Sequence, residues 1–129
     1  MVRRYAVIAG VLTILIGLGG LLFGEQVLLG SVNIYSGYLA EPIIHLVLGG
    51  LLTYVGLAPR VRRVARRAVG GYGVVALLAI APSFLPLPPV LLRAAPPEWL
   101  TAHNLFHLAV GLLSIAVAWF APRDMQATS

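Results

Sequence analysis

The chain has 129 residues, of which 60% are hydrophobic and only 10% charged, with a mean hydropathy of +0.95. A soluble domain carries roughly a quarter charged residues, so this composition cannot cover a water-facing surface and points to a bilayer. The net charge of +5 arises from nine Arg and no Lys set against Glu25, Glu41, Glu98 and Asp124, and the lack of Cys excludes disulfides, thiolate metal sites and Cys nucleophiles.

Four stretches are long enough to cross a membrane, which takes about 20 residues. The first covers residues 5–23 without a charge. The others cover about 42–58, 68–85 and 97–120. Pro42 and Pro97 suit a first helical turn, where the missing N–H would have no partner anyway, and Pro59 and Pro122 lie just past two helix ends. Arg3 and Arg4 ahead of the first apolar run resemble a signal peptide. The run is too long for one, however, and no small-x-small cleavage site follows around 22–25, so the first stretch is read as a retained span.

Arg bias sets the orientation. With four spans, one side holds Arg3, Arg4, Arg60, Arg62, Arg63, Arg66, Arg67 and Arg123, while the other holds only Arg93, with Glu25, Glu41 and Glu98. Both termini are therefore expected in the cytoplasm of a bacterium, with the protein in its inner membrane. The basic stretch Arg60, Arg62, Arg63, Arg66 and Arg67 reads as a cytoplasmic loop that meets anionic lipid, not nucleic acid. The outer connections look interfacial. Asn33, Tyr35 and Tyr38 suit headgroup depth, and residues 85–96 are apolar but broken by Pro86, Pro88 and Pro89, so they lie in the headgroup layer or against a partner.

The chain also repeats itself. His45-Leu46-Val47-Leu48-Gly49 matches His107-Leu108-Ala109-Val110-Gly111 at an offset of 62, and Ala58-Pro59-Arg60 matches Ala121-Pro122-Arg123 at 63. Arg3-Arg4 matches Arg66-Arg67, and Gly10-Val11 matches Gly73-Val74, also at 63. The expected fold is thus all-α: a single transmembrane domain over residues 1–129, a four-helix bundle built from two parallel hairpins, 1–63 and 64–126. The His-Leu-x-x-Gly segments, with Asn104 three residues before His107, resemble a family of small bacterial four-helix membrane proteins of unknown function. Those relatives often carry Asn where this chain has Pro42. The resemblance implies the fold and supplies no activity.

Intramembrane ionisable groups are functional candidates. Glu41 and His45, and likewise His103 and His107, are four residues apart, so each pair shares one helix face. His45 and His107 lie 14 and 15 residues before Pro59 and Pro122, about 20 Å from the cytoplasmic end. Four readings stay open for the polar cluster Glu41, His45, His103, Asn104 and His107. It can be hydrogen-bonded helix glue. His45 and His107 can ligate a haem or chlorophyll, with Gly49 and Gly111 leaving room for the macrocycle. His103, His107 and Glu41, or His45, can hold a metal. The cluster can also relay protons in a small transporter, although Thr13, Thr53, Tyr54 and Ser114 alone offer little of a path.

Small residues at Gly17, Gly20 and Gly24, and at Gly70, Gly71 and Gly73, suit close helix packing or association with another subunit. No nucleophile motif or phosphate loop surrounds any Ser, and no enzyme is expected. The leading expectation is a non-enzymatic accessory or scaffold subunit of a larger membrane complex, with no cofactor. An electron-transfer or pigment protein comes second, and a transporter or proton relay third.

Overall fold

The computed structural model describes four helices, each over one of the apolar runs. They are α1 (Val2–Phe23), α2 (Ala40–Leu57), α3 (Ala65–Leu78) and α4 (Ala102–Phe120). Between α1 and α2 in chain order, β1 (Leu28–Leu29) and β2 (Val32–Asn33) form an antiparallel ladder, with Leu28 opposite Asn33 and Leu29 opposite Val32. The sequence reading had no strands here, although Gly30-Ser31 suits a two-residue hairpin turn. The structure describes residues 1–23, 28–29, 32–33, 40–58, 64–81 and 102–121, with backbone alone at 28–29, 32–33, 40 and 102.

Three helices begin earlier than the expected spans. α1 begins three residues before Tyr5, α2 two before Pro42 and α3 three before Ala68, because charge and Pro do not stop a helix in its first turn. Arg66 and Arg67 therefore belong to α3 and not to the basic loop, which corrects the sequence reading. α3 ends at Leu78, with a turn following at Ala79 and Ile80, short of the expected Leu85. Residues 82–85, Pro97, Gly24, Arg60, Arg62, Arg63, Arg93 and Arg123 lie outside the described residues. Two helical stretches, Val2–Phe23 and His103–Phe120, are long and apolar enough to cross a membrane, and Glu41–Leu57 is apolar but shorter.

Each helix buries a narrow seam at steps of three or four residues. In α1 the seam is Ala6, Gly10, Thr13, Gly17 and Gly20; in α2 it is Pro42, His45, Gly49, Leu52 and Gly56. α3 buries Ala65, Val69, Gly73 and Ala76, and α4 buries Asn104, His107, Gly111, Ser114 and Val117. This is the spacing of a coiled-coil seam, filled here with small and polar residues. α1 packs on α2 and α3 on α4, with lighter contacts joining the two pairs. Ala6, Leu52, Val69 and Val117, one from each helix, form the apolar core where the pairs meet.

The pairs are held at glycines. A Cβ on Gly10 would meet the Thr53 hydroxyl and lie 2.6 Å from the Thr53 nitrogen and 2.8 Å from the Gly49 carbonyl. One on Gly49 would lie 2.7 Å from the Gly10 carbonyl. The second pair repeats the device: a Cβ on Gly73 would lie 2.8 Å from the Gly111 carbonyl, and one on Gly111 3.0 Å from the Gly73 carbonyl. Backbone touches backbone at both places, which only glycine permits.

The helix ends are tied by arginine. The last carbonyls of a helix have no partner within it. Arg3 of α1 donates from Nε to the Gly56 carbonyl at 2.9 Å and from Nη2 to that of Leu57 at 2.9 Å. Arg66 of α3 stands in the same relation to α4. It donates from Nη1 to Ala118 at 2.9 Å and Trp119 at 3.5 Å, and from Nη2 to Ala121 at 2.6 Å. Each Arg thus sits at the start of one helix and closes the end of its antiparallel neighbour. Between the pairs, the hydroxyls of Tyr5 and Ser114 and those of Thr13 and Tyr72 are each 2.7 Å apart. These bonds put the starts of α1 and α3 and the ends of α2 and α4 at one end of the bundle, and Glu41 with the His residues toward the other.

Candidate functional site

At that far end, α2 and α4 present their first two turns to one another. Glu41 and His45 are one turn apart on α2, and His103 and His107 one turn apart on α4. The His45 and His107 rings have centroids 5.8 Å apart at a 47° tilt, and those of His103 and His107 are 4.4 Å apart. The His103 Nδ1 lies 3.3 Å from the Glu41 Oε1, linking the two helices. His45 and His107 are buried, at 9% and 8% exposure, and Asn104 is buried in the α4 seam beside them at 6%. Four of the sequence candidates therefore face a common point, with Asn104 adjoining.

Two hydrogen bonds define the chemistry of the rings. The His45 Nδ1 lies 2.8 Å from the Glu41 carbonyl, and the His107 Nδ1 lies 3.2 Å from the His103 carbonyl. A carbonyl only accepts, so each Nδ1 carries the proton and donates. The lone pair of each neutral ring is then on Nε2. Both bonds stay within their own helix. As helix glue, then, His45 and His107 contribute ring contact, and the polar contact across the helices is the 3.3 Å approach of the His103 Nδ1 to the Glu41 Oε1.

One ligand atom from each of Glu41, His45 and His107 falls within 4.8 Å of the other two. This differs in part from the expected metal set of His103, His107 and Glu41, because His103 is turned onto the Glu41 carboxylate. A cavity of about 30 Å³ opens beside the rings, lined by Ile16, His45, Phe106 and His107. It has room for a water, which needs roughly 10–15 Å³.

Among the described residues, the cavity beside His45 and His107, about 30 Å³, is far smaller than a haem or chlorophyll. Small-molecule sites run from roughly 300 Å³ upward. The glycines read as macrocycle space are also filled: the Cβ position of Gly49 is taken by Gly10 and Ile14, and that of Gly111 by Leu77 and Gly73. Each glycine faces the partner helix of its own hairpin.

Residues that sequence reasoning passed over carry much of the polar structure. Tyr5 and Tyr72 bind across the bundle, and Arg3 and Arg66 close helix ends. The hydroxyls of Thr13 and Ser114 also donate to the Ala9 and Val110 carbonyls at 2.7 Å. No periodicity in α1 or α3 singles out the tyrosines; the signal would have been their placement next to a seam residue, Tyr5 beside Ala6 and Tyr72 beside Gly73. Set beside known protein families, curated proteins and solved structures, the chain matches none of them.

Proposed function

We propose that the chain is a four-helix integral membrane protein, set in a bacterial cytoplasmic membrane with both termini inside, that serves as an accessory or scaffold subunit of a larger membrane assembly. One observation carries the membrane part. The inner seam is small and polar, while the outward faces are apolar along their length. Leu12, Leu15, Leu22 and Phe23 on α1, Ile44, Val47, Leu51 and Leu57 on α2, and Leu112, Leu113, Trp119 and Phe120 on α4 are all exposed, Phe120 at 80%. In water that surface would drive aggregation, since monomeric proteins rarely expose contiguous apolar patches above a few hundred Å². In lipid it is the expected exterior.

The ends support the orientation. Arg3, Arg4, Arg66 and Arg67 lie at one end and Glu41 at the other, and Arg4 and Arg67 are exposed there, where Arg-rich ends face the cytoplasm. α3 rises only about 21 Å against a hydrocarbon core of about 30 Å, so four crossings require the chain beyond Leu78 to complete the third. A tandem duplication is part of the same reading. The Gly10–Gly49 and Gly73–Gly111 contacts, the Arg3 and Arg66 caps and the His45 and His107 carbonyl bonds recur at the offsets of the sequence repeat. The resemblance of the His-Leu-x-x-Gly segments to four-helix membrane proteins points the same way.

A subunit role follows from what the bundle offers a partner: an apolar exterior, interfacial connections and almost no soluble mass. The protein is expected to stay in the membrane through an alkaline carbonate wash and to co-purify in mild detergent with a stoichiometric membrane partner. Release by the wash would contradict the membrane assignment. Recovery solely as a homogeneous lone chain would contradict the subunit role.

A further inference from the structure

We propose that Glu41, His45 and His107 bind a divalent first-row transition-metal ion, in the manner of a two-histidine, one-carboxylate zinc site. This goes beyond the membrane reading and does not depend on it. Three independent features converge. The ligand atoms already lie within 4.8 Å of one another. On a tetrahedral ion, with ligand bonds of about 2.0–2.2 Å, they would be roughly 3.3 Å apart.

The second feature is the hydrogen bonding behind the ligands. Metal-bound imidazoles nearly always donate their other ring N–H to a carbonyl or carboxylate, which fixes the tautomer and makes the free nitrogen more basic. His45 and His107 both do this, to the carbonyls of Glu41 and His103. A ring that served only to join helices would spend its N–H across the interface. These two keep it within the helix, so Nε2, the basic atom, is left for the cluster. His103 acts on the third ligand. Its Nδ1 stands 3.3 Å from the Glu41 Oε1, beside the carboxylate.

The third feature is room for the fourth position. The cavity of about 30 Å³ touches both ligand rings and admits a water, which would complete a four-coordinate ion. Its other walls, Ile16 and Phe106, are apolar and offer no competing ligand. Two neutral imidazoles and one carboxylate leave a divalent ion with a single net positive charge, which suits a buried site better than a neutral-ligand set would.

The test uses the full chain, without a histidine tag, in detergent micelles after chelator treatment. Zn²⁺ is expected to bind at one ion per chain, and Co²⁺ to give the intense visible bands of a tetrahedral site that Zn²⁺ then displaces. H45A/H107A should weaken Zn²⁺ binding by at least about 100-fold. His103→Gln should weaken it by about 10- to 100-fold, as loss of an outer partner does, and shift the Co²⁺ bands while leaving one ion per chain. Wild-type protein that takes up neither ion at micromolar concentration would overturn the proposal, as would equal binding by H45A/H107A. Glu41→Gln keeps the shape of the side chain and removes the anionic ligand, so it decides the matter if the double variant fails to fold. Unchanged affinity in Glu41→Gln also counts against the site.

Discussion

Gly49→Ala is expected to break the first hairpin, while Gly50→Ala, one residue away, leaves it intact. The contrast follows from what the added methyl meets. At Gly49 it would lie 2.7 Å from the Gly10 carbonyl and 2.8 Å from the Ile14 nitrogen, both backbone atoms that cannot step aside without parting α1 from α2. At Gly50 nothing lies within 4 Å. Overpacking a tight contact costs about 1–3 kcal/mol and sometimes more; a backbone-to-backbone clash belongs at the upper end. Replacing a helical Gly with Ala in open space gains up to about 1 kcal/mol. Unfolding midpoints in detergent should therefore fall for Gly49→Ala and hold or rise for Gly50→Ala. Gly73→Ala should repeat the loss in the second hairpin, since its methyl meets the Gly111 carbonyl, and Gly71→Ala should repeat the neutral result.

Arg66→Met is expected to loosen the end of α4 while keeping the apolar stem of the side chain. The guanidinium donates to three carbonyls of α4 and the residue after it, one at 2.6 Å. Hydrogen bonds from a charged group contribute about 1.5–3 kcal/mol each when well made. The Trp119 bond is long and exposed, so a loss of about 3 kcal/mol for the whole set is the reasonable scale. Arg66→Lys should recover little, because an ammonium lacks the planar fork that reaches two carbonyls at once. Arg67→Met, at the exposed neighbour, should leave stability unchanged. Amide hydrogen exchange near residues 118–121 is the direct readout, and fast exchange there in Arg66→Met alone is the expected pattern.

These residues also mark what could be read from sequence and what could not. The juxtaposition of Glu41, His45, His103 and His107 was legible because spacing by four and an internal repeat are both linear properties of the chain. Packing of Gly10 on Gly49 was legible only as a choice between close helices and space for a ligand, since a glycine shows no preference until its neighbour is in place. The arginine caps were not legible. Arg3 and Arg66 read as charge at the membrane edge, and only a three-dimensional register shows that each falls beside the carbonyl end of the next helix. The ladder of β1 and β2 was missed because two residues per strand carry no periodicity.

The metal set shows the same division. Sequence spacing paired His103 with His107 because both lie on α4, whereas the tilt of the rings turns His103 to Glu41 and brings His45 in from α2. Glu41 and His107 belong to both groupings, and His45 stands where His103 was expected. Linear spacing cannot rank two imidazoles one turn apart.

Labelling of introduced cysteines in intact cells tests the four-span orientation most directly, and the natural chain, having no Cys, gives it a clean background. Single variants Arg63→Cys, Glu98→Cys and Ser129→Cys would be treated with a membrane-impermeant maleimide before and after the membrane is opened. Four crossings with the arginine end inside predict that Glu98→Cys reacts from outside, and that Arg63→Cys and Ser129→Cys react only once the cells are opened. Labelling of Arg63→Cys and Glu98→Cys from the same side would contradict it.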